Sequence, residues 1–110
     1  MTWEFPEFIC NLPEVDINLA GVSGHVLQGK RQQAVFLRFD QDVEVPEHSH
    51  RAQWELVLAG EVRLRVQERE RIYRTGDSFF IPKGVLHGAT VLAGYRAVIF
   101  FDEPERYGTK

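Results

Sequence analysis

The sequence has little of several things that would mark particular classes of protein. It contains a single cysteine, Cys10, so no disulfide can form within the chain. Its 13 Lys and Arg residues are outnumbered by 16 Asp and Glu residues, and the formal net charge of −3 offers no basic surface to nucleic acid. No run of about 18 apolar residues is present, and the first residues lack the basic and then apolar layout of a secretion signal. We therefore expect a cytoplasmic protein that binds neither nucleic acid nor membranes.

A helical pattern of ten or more residues is also missing, and the sequence instead shows the alternation typical of strands. Residues 61–67 alternate polar and apolar side chains, which places Val62, Leu64 and Val66 on one face of a sheet. Other short runs rich in β-branched and aromatic residues are separated by glycine and proline, at residues 34–39, 54–59, 79–81 and 96–101. Many short strands with turns at this spacing predict an all-β sandwich or barrel.

The length predicts a single domain over residues 1–110, because domains commonly have about 100 to 200 residues. We expect residues 1–10 to form an arm. Residues 102–110 should form a tail that is either mobile or contains one helical turn at 102–107.

One connection lacks the residues that tight turns prefer. Between Val66 and Ile72 there is no glycine, asparagine or aspartate. Bulky side chains avoid positive φ, which a two-residue hairpin turn requires. We therefore expect, at Glu68 to Glu70, a loop longer than two residues or a strained residue.

Three of the four histidines fall in two compact clusters. In the first cluster, His48 and His50 are two positions apart, so on a strand both imidazoles leave the same face and can converge on one metal ion. Glu55 follows and can add an oxygen ligand. Its carboxylate should bind a divalent cation more strongly than an amide oxygen would. Gln53 has the same strand parity as Glu55 and is the alternative ligand. The fourth histidine, His25, stands apart, and we expect it to be structural or exposed.

The second cluster ends in His87 and is built around turn residues. Gly76 opens a short strand, and Pro82 and Gly84 then shape a turn. Glycine permits positive φ and proline fixes its own φ, so together they can aim the following His87 reproducibly. A chance occurrence of both clusters, in this order and each beside a strand, is improbable.

Together the two clusters resemble the two motifs of the cupin family. The first motif, at about residues 46–60, reads His48-x-His50, four residues, Glu55 and then Gly60. The second, at about residues 76–87, reads Gly76, five residues, Pro82-x-Gly84-x-x-His87. The resemblance implies a small single-domain cupin β-barrel, the double-stranded β-helix or jelly roll. It also implies one divalent metal ion per chain (Fe, Mn, Ni or Zn), held by His48, His50, Glu55 and His87.

The resemblance further implies a function that starts from this metal. We expect a metal-dependent, dioxygenase-like enzyme that acts on a small oxygen-rich molecule. Two alternatives stay open: a non-catalytic barrel that binds a sugar or a carboxylate, and a cupin of the sugar isomerase type. Similar cupins often dimerise, so we expect a homodimer in which the aromatic amino-terminal arm packs on the second copy.

Four arginines lie near probable strands and bear on the choice of ligand. An arginine inside the barrel would favour a carboxylate, because its guanidinium can bind both carboxylate oxygens at once. Strand parity does not decide which of them points inward; the candidates are Arg38, Arg51, Arg65 and Arg96.

Overall fold

The computed structural model describes residues 3–110 and contains, within them, one short helix and nine strands. The helix is α1 (Glu7–Cys10). The strands are β1 (Val22–Gln28), β2 (Gln33–Phe39), β3 (Val43–His48), β4 (Gln53–Ala59), β5 (Glu61–Val66), β6 (Arg69–Arg74), β7 (Ser78–Ile81), β8 (His87–Val91) and β9 (Arg96–Phe101). No helix in this part of the chain is long and apolar enough to cross a membrane.

The strands form two antiparallel sheets whose inner faces enclose the core. The five-stranded sheet has the order β1-β2-β9-β4-β7, and the four-stranded sheet has the order β3-β8-β5-β6. Alternate residues of each strand point inward, so Val62 and Leu64 are buried while Arg63 between them is exposed. The expected all-β jelly roll is therefore confirmed.

All five strands predicted from the sequence are present, and four more are not evident from local pattern. The unpredicted strands are β1, β3, β6 and β8. Pro46 lies inside β3, although proline is more often found in turns. Proline is tolerated there because β3 is an edge strand, and its pairing with β8 is irregular between Val45 and His48.

The connection between β5 and β6 is a two-residue turn that carries strain. Gln67 and Glu68 both have positive φ, at 50° and 66°. The longer loop that the sequence allowed is thus not present, and the alternative of a strained residue is confirmed. The strain begins one position earlier than expected, at Gln67.

We predict that the double substitution Gln67→Asn, Glu68→Gly will stabilise the fold. Asparagine followed by glycine suits two consecutive positive φ angles, which cost other residues about 1–2 kcal/mol each. The free energy of unfolding, measured by urea denaturation, should rise by about 1–2 kcal/mol. Glu70→Gly within β6 is the matched control, because glycine inside a strand lowers stability. A double variant no more stable than the wild type would show that this turn is relaxed.

The arm at the amino terminus packs on its own chain. Phe5 is buried and meets the ring of Phe36 edge-on, with centroids 5.7 Å apart, and Glu4 forms an ion pair with Arg38. The homodimer stays a prediction. The outer face of the five-stranded sheet carries a cross-strand row of exposed apolar side chains, formed by Leu27, Phe100, Trp54 and Phe80.

The last residues are not a free tail. The side chain of Gln33 holds Tyr107 from both sides, donating to its carbonyl oxygen at 2.8 Å and accepting from its N–H at 3.1 Å. Gln28 donates to the carbonyl of Pro104, and Val15 forms an isolated β-bridge with Thr109. Residues 102–107 form bends and a turn rather than a helix, and we call them the C-terminal strap.

Candidate metal centre

The two histidine clusters meet where β3 and β8 pair. His48 is the last residue of β3 and lies opposite His87, the first residue of β8. The strands approach closely here, since a Cβ at Gly88 would lie 3.0 Å from the carbonyl oxygen of Val45. His50 follows in the loop before β4, and its carbonyl accepts a hydrogen bond at 2.9 Å from the N–H of Gly84. The turn of the second motif is thus bonded directly to the first motif.

The three imidazoles converge on one place. One ligand nitrogen from each of His48, His50 and His87 lies within 4.8 Å of the other two. The ring centroids are 4.4 to 5.2 Å apart. This grouping of His48, His50 and His87 is consistent with one metal site.

Hydrogen bonds to the backbone fix how each ring is turned. The Nδ1 atoms of His48 and His87 lie 2.9 Å from the carbonyl oxygens of Pro46 and Val85, and that of His50 lies 2.6 Å from the carbonyl of Arg51. A carbonyl oxygen only accepts, so each Nδ1 carries a hydrogen, and Nε2 is the nitrogen left to bind a metal. The same arrangement orients histidine ligands in metalloproteins.

The free nitrogens also fit a metal by their environment. Nε2 of His50 is shut off from solvent and has no hydrogen-bond partner in the described chain. Burial lowers the pKa values of His50 and His87, and the positive charge of Arg106 lowers both further. Both rings are therefore neutral at neutral pH, which is the form that binds a metal. The donor set present suits a divalent transition metal.

Glu55, the expected fourth ligand, lies in the same cavity but outside the histidine cluster. It is 6% exposed, and both carboxyl oxygens accept hydrogen bonds, one from Gln53 at 3.1 Å and the other from the hydroxyl of Tyr95. Burial raises the pKa of Glu55 to about 7, and the two hydrogen bonds oppose that rise. Each oxygen keeps a further lone pair, so ligation by Glu55, with Gln53 as the alternative, stays a prediction.

These groups open on a cavity of about 390 Å³ between the two sheets. Its walls are mostly aliphatic and aromatic, with the imidazoles, Glu55, Gln53 and Tyr95 as convergent polar groups. Such a combination is typical of a site for a small molecule.

None of the four arginines singled out from the sequence lines this cavity. Arg38 and Arg65 form ion pairs with Glu4 and Glu44 on the surface. Arg96 is buried, but it donates to the carbonyl of Phe39 and to other structural partners, and Arg51 is exposed.

The arginine in the cavity wall is Arg106, which sequence reasoning missed. It lies in the C-terminal strap, whose course depends on the hydrogen bonds of Gln33 from a distant strand. Local pattern carries no signal for such a contact.

The fold and site are those of a jelly roll in which three imidazoles could hold a metal ion, and comparison with known proteins gives the family. A model of the cupin domain matches residues 35–102, more than half of the chain, and the chain belongs to the cupin family. The resemblance of its motifs is thereby confirmed. No curated protein matches the chain significantly.

Solved structures show the same fold. An RmlC-like cupin from Shewanella frigidimarina is 31% identical, with 86% of each chain covered and a TM-score of 0.73. KdgF from a Halomonas species is 23% identical over 84% of this chain and 88% of its own, with a TM-score of 0.72. An oxalate decarboxylase variant from Bacillus subtilis is 19% identical over 84% of this chain and 28% of its own, with a TM-score of 0.69. The latter two similarities establish the fold alone.

Proposed function

We propose that this cupin binds one divalent ion per chain (Fe, Mn, Ni or Zn) and is a metal-dependent, dioxygenase-like enzyme acting on a small oxygen-rich molecule. The observation that carries the proposal is the set of three imidazoles whose ligand nitrogens lie within 4.8 Å of one another, each ring oriented by a backbone carbonyl at its Nδ1. Three imidazoles, even with one carboxylate, leave open positions on an octahedral ion.

The residues of the chain have separable parts in such an enzyme. When bound, the ion supplies Lewis acidity and, as iron or manganese, one-electron chemistry toward dioxygen. His48, His50 and His87 hold it, and the apolar walls of the cavity exclude bulk water from the substrate. Burial raises the pKa of Glu55 to about 7 in the metal-free chain, and a divalent ion beside it would favour the carboxylate, which could bind the ion or accept a proton from the substrate.

The test begins with metal content and then measures oxygen uptake. After loading with iron(II) under nitrogen and gel filtration, we expect one ion per chain by elemental analysis. With oxalate, the flavonol quercetin or an aldose as probes, we expect metal-dependent oxygen consumption with at least one of the first two.

Other results would favour the alternatives. Isomerisation of the aldose without oxygen uptake would favour the sugar isomerase type. Tight metal binding without turnover of any of the three probes would favour a binding barrel. A chain that retains no metal would contradict the proposal as a whole.

A further inference from the structure

Arg106 is fixed in the wall of the cavity by its own strap. The neighbouring Tyr107 is bonded through its backbone to Gln33, which is 1% exposed and therefore a rigid anchor. The guanidinium carbon of Arg106 lies 4.5 Å from the ring centroid of Tyr107 and 5.5 Å from that of Phe101. Both rings also line the cavity, so stacking keeps the guanidinium at the cavity surface.

The charge of Arg106 has no partner within the described chain. Among residues 3–110 it forms no ion pair within 4.0 Å, and its Nε is buried without a hydrogen bond. Glu103 is in the same strap, yet it does not pair with Arg106, and its own Oε1 is buried without a hydrogen bond. A guanidinium that is partly removed from water and has no carboxylate within 4.0 Å in the described chain is able to bind an anion.

Arg106 also lies at the metal end of the cavity. The ring of Phe101 lies between Arg106 and His50, with its centroid 5.5 Å from the guanidinium carbon of Arg106 and 5.6 Å from that of the His50 ring. With a divalent ion on the imidazoles, the ion and Arg106 would carry three positive charges, against the two carboxylates that line the cavity, Glu55 and Asp16. An apolar cavity with this excess attracts an anionic ligand.

We propose that Arg106 is a specificity-determining residue that binds a carboxylate of the substrate, while another oxygen of the same molecule faces the metal. The proposal rests on the proposed metal function and names its substrate class as small carboxylates. A carboxylate fits better than a phosphate, because Arg106 is the one Lys or Arg side chain in the cavity wall within residues 3–110. The planar guanidinium matches two carboxylate oxygens, whereas a phosphate dianion calls for more donors.

The experiment compares diacids with acids in which a methyl group replaces one carboxylate. The full chain is loaded with nickel(II), and malonate, succinate and glutarate are titrated calorimetrically beside propionate, butyrate and pentanoate. We expect at least one diacid to bind 10-fold or more tightly than its methyl counterpart. Arg106→Gln should remove that preference, a loss of about 10- to 100-fold for a charge-assisted pair, and Arg106→Lys should retain part of it.

The control is Arg63→Gln, which makes the same charge change on the outer surface, where Arg63 pairs with Glu61. It should leave the preference for the diacid unchanged. A preference that is absent in the wild type, or that survives Arg106→Gln, would overturn the role of Arg106.

Metal content separates this failure from failure of the proposed function. Elemental analysis should give the same nickel content for the wild type and for each variant. If the wild type holds no nickel, the metal function fails. Arg106 is then judged on the metal-free chain: succinate binding that Arg106→Gln does not weaken would overturn its role there too.

Discussion

Substituting His50 by alanine is expected to abolish stoichiometric metal binding and to leave the barrel folded. Nε2 of His50 is buried without a partner, so its removal takes away a ligand and no hydrogen bond of that nitrogen within the described chain. Metal-site free energies of about 10–16 kcal/mol are shared among a few ligands, so losing one should lower the affinity by at least about 100-fold. Elemental analysis after dialysis measures the first effect, and thermal unfolding measures the second.

A matched control for this substitution is His25→Ala. His25 lies outside the cluster, and its Nδ1 lies 2.9 Å from the carbonyl oxygen of Leu12. The control should keep the metal content of the wild type. It should also keep the rise in melting temperature that a bound metal produces. Unchanged metal content in His50→Ala would mean that the three imidazoles do not form the site.

The second large effect is expected at Glu55, where Glu55→Gln should stabilise the metal-free protein above pH 7. Burial raises the pKa of Glu55 from 4.5 to about 7 in the folded state. Between these values the folded state binds more protons than the unfolded state, so stability falls as the pH rises from about 4.5 to about 7 and then levels off. The difference corresponds to about 3 kcal/mol. Glutamine stays neutral and should escape this loss.

Thermal unfolding from pH 4.5 to 8, in the presence of a chelator, measures this effect. The variant should melt about 10 °C above the wild type at pH 8 and close to it at pH 4.5. Glu44→Gln is the control of opposite sign, because a hydrogen bond from Thr90 lowers the pKa of the exposed Glu44. Equal pH profiles for Glu55→Gln and the wild type would show that the carboxyl is not desolvated in solution.

The same variant tests the predicted fourth ligand. If Glu55 binds the metal, Glu55→Gln should lower the metal affinity strongly while Gln53→Ala affects it less. The reverse order would assign the position to Gln53. Both residues line the cavity and are hydrogen-bonded to each other, so measured affinities decide between them.

The strands that could be predicted from the sequence are those in which the pattern of apolar and polar residues follows the pattern of burial. The alternation in β5 reflects one buried face, and the apolar runs of β2 and β9 reflect their position inside the five-stranded sheet. β6 (Arg69–Arg74) is largely exposed at a sheet edge, so its charged sequence carries no pattern of burial. β8 begins with His87 and Gly88, which serve the site and the close approach of β3 rather than strand propensity.

In the candidate site, the residues placed by local turns could be predicted from the sequence, and the residue placed by a distant contact could not. The spacing of the motifs predicted that His48, His50 and His87 belong together, because fixed turns deliver those side chains. Arg106 could not be predicted, since its position depends on Gln33, which is 73 residues earlier in the chain and fixes the neighbouring Tyr107. A sequence pattern that spans only a few residues cannot predict a contact between residues so far apart in the chain.

Pro46 has two effects in the edge strand β3, one on the edge of the sheet and one on His48. Its ring removes an amide donor from the rim of the four-stranded sheet, which discourages a foreign strand from extending that sheet and so guards against aggregation. Its carbonyl oxygen at the same time orients His48. The two effects come from different atoms of the residue: the ring nitrogen protects the sheet edge, whereas the carbonyl that orients His48 belongs to the backbone and would remain if another residue replaced Pro46.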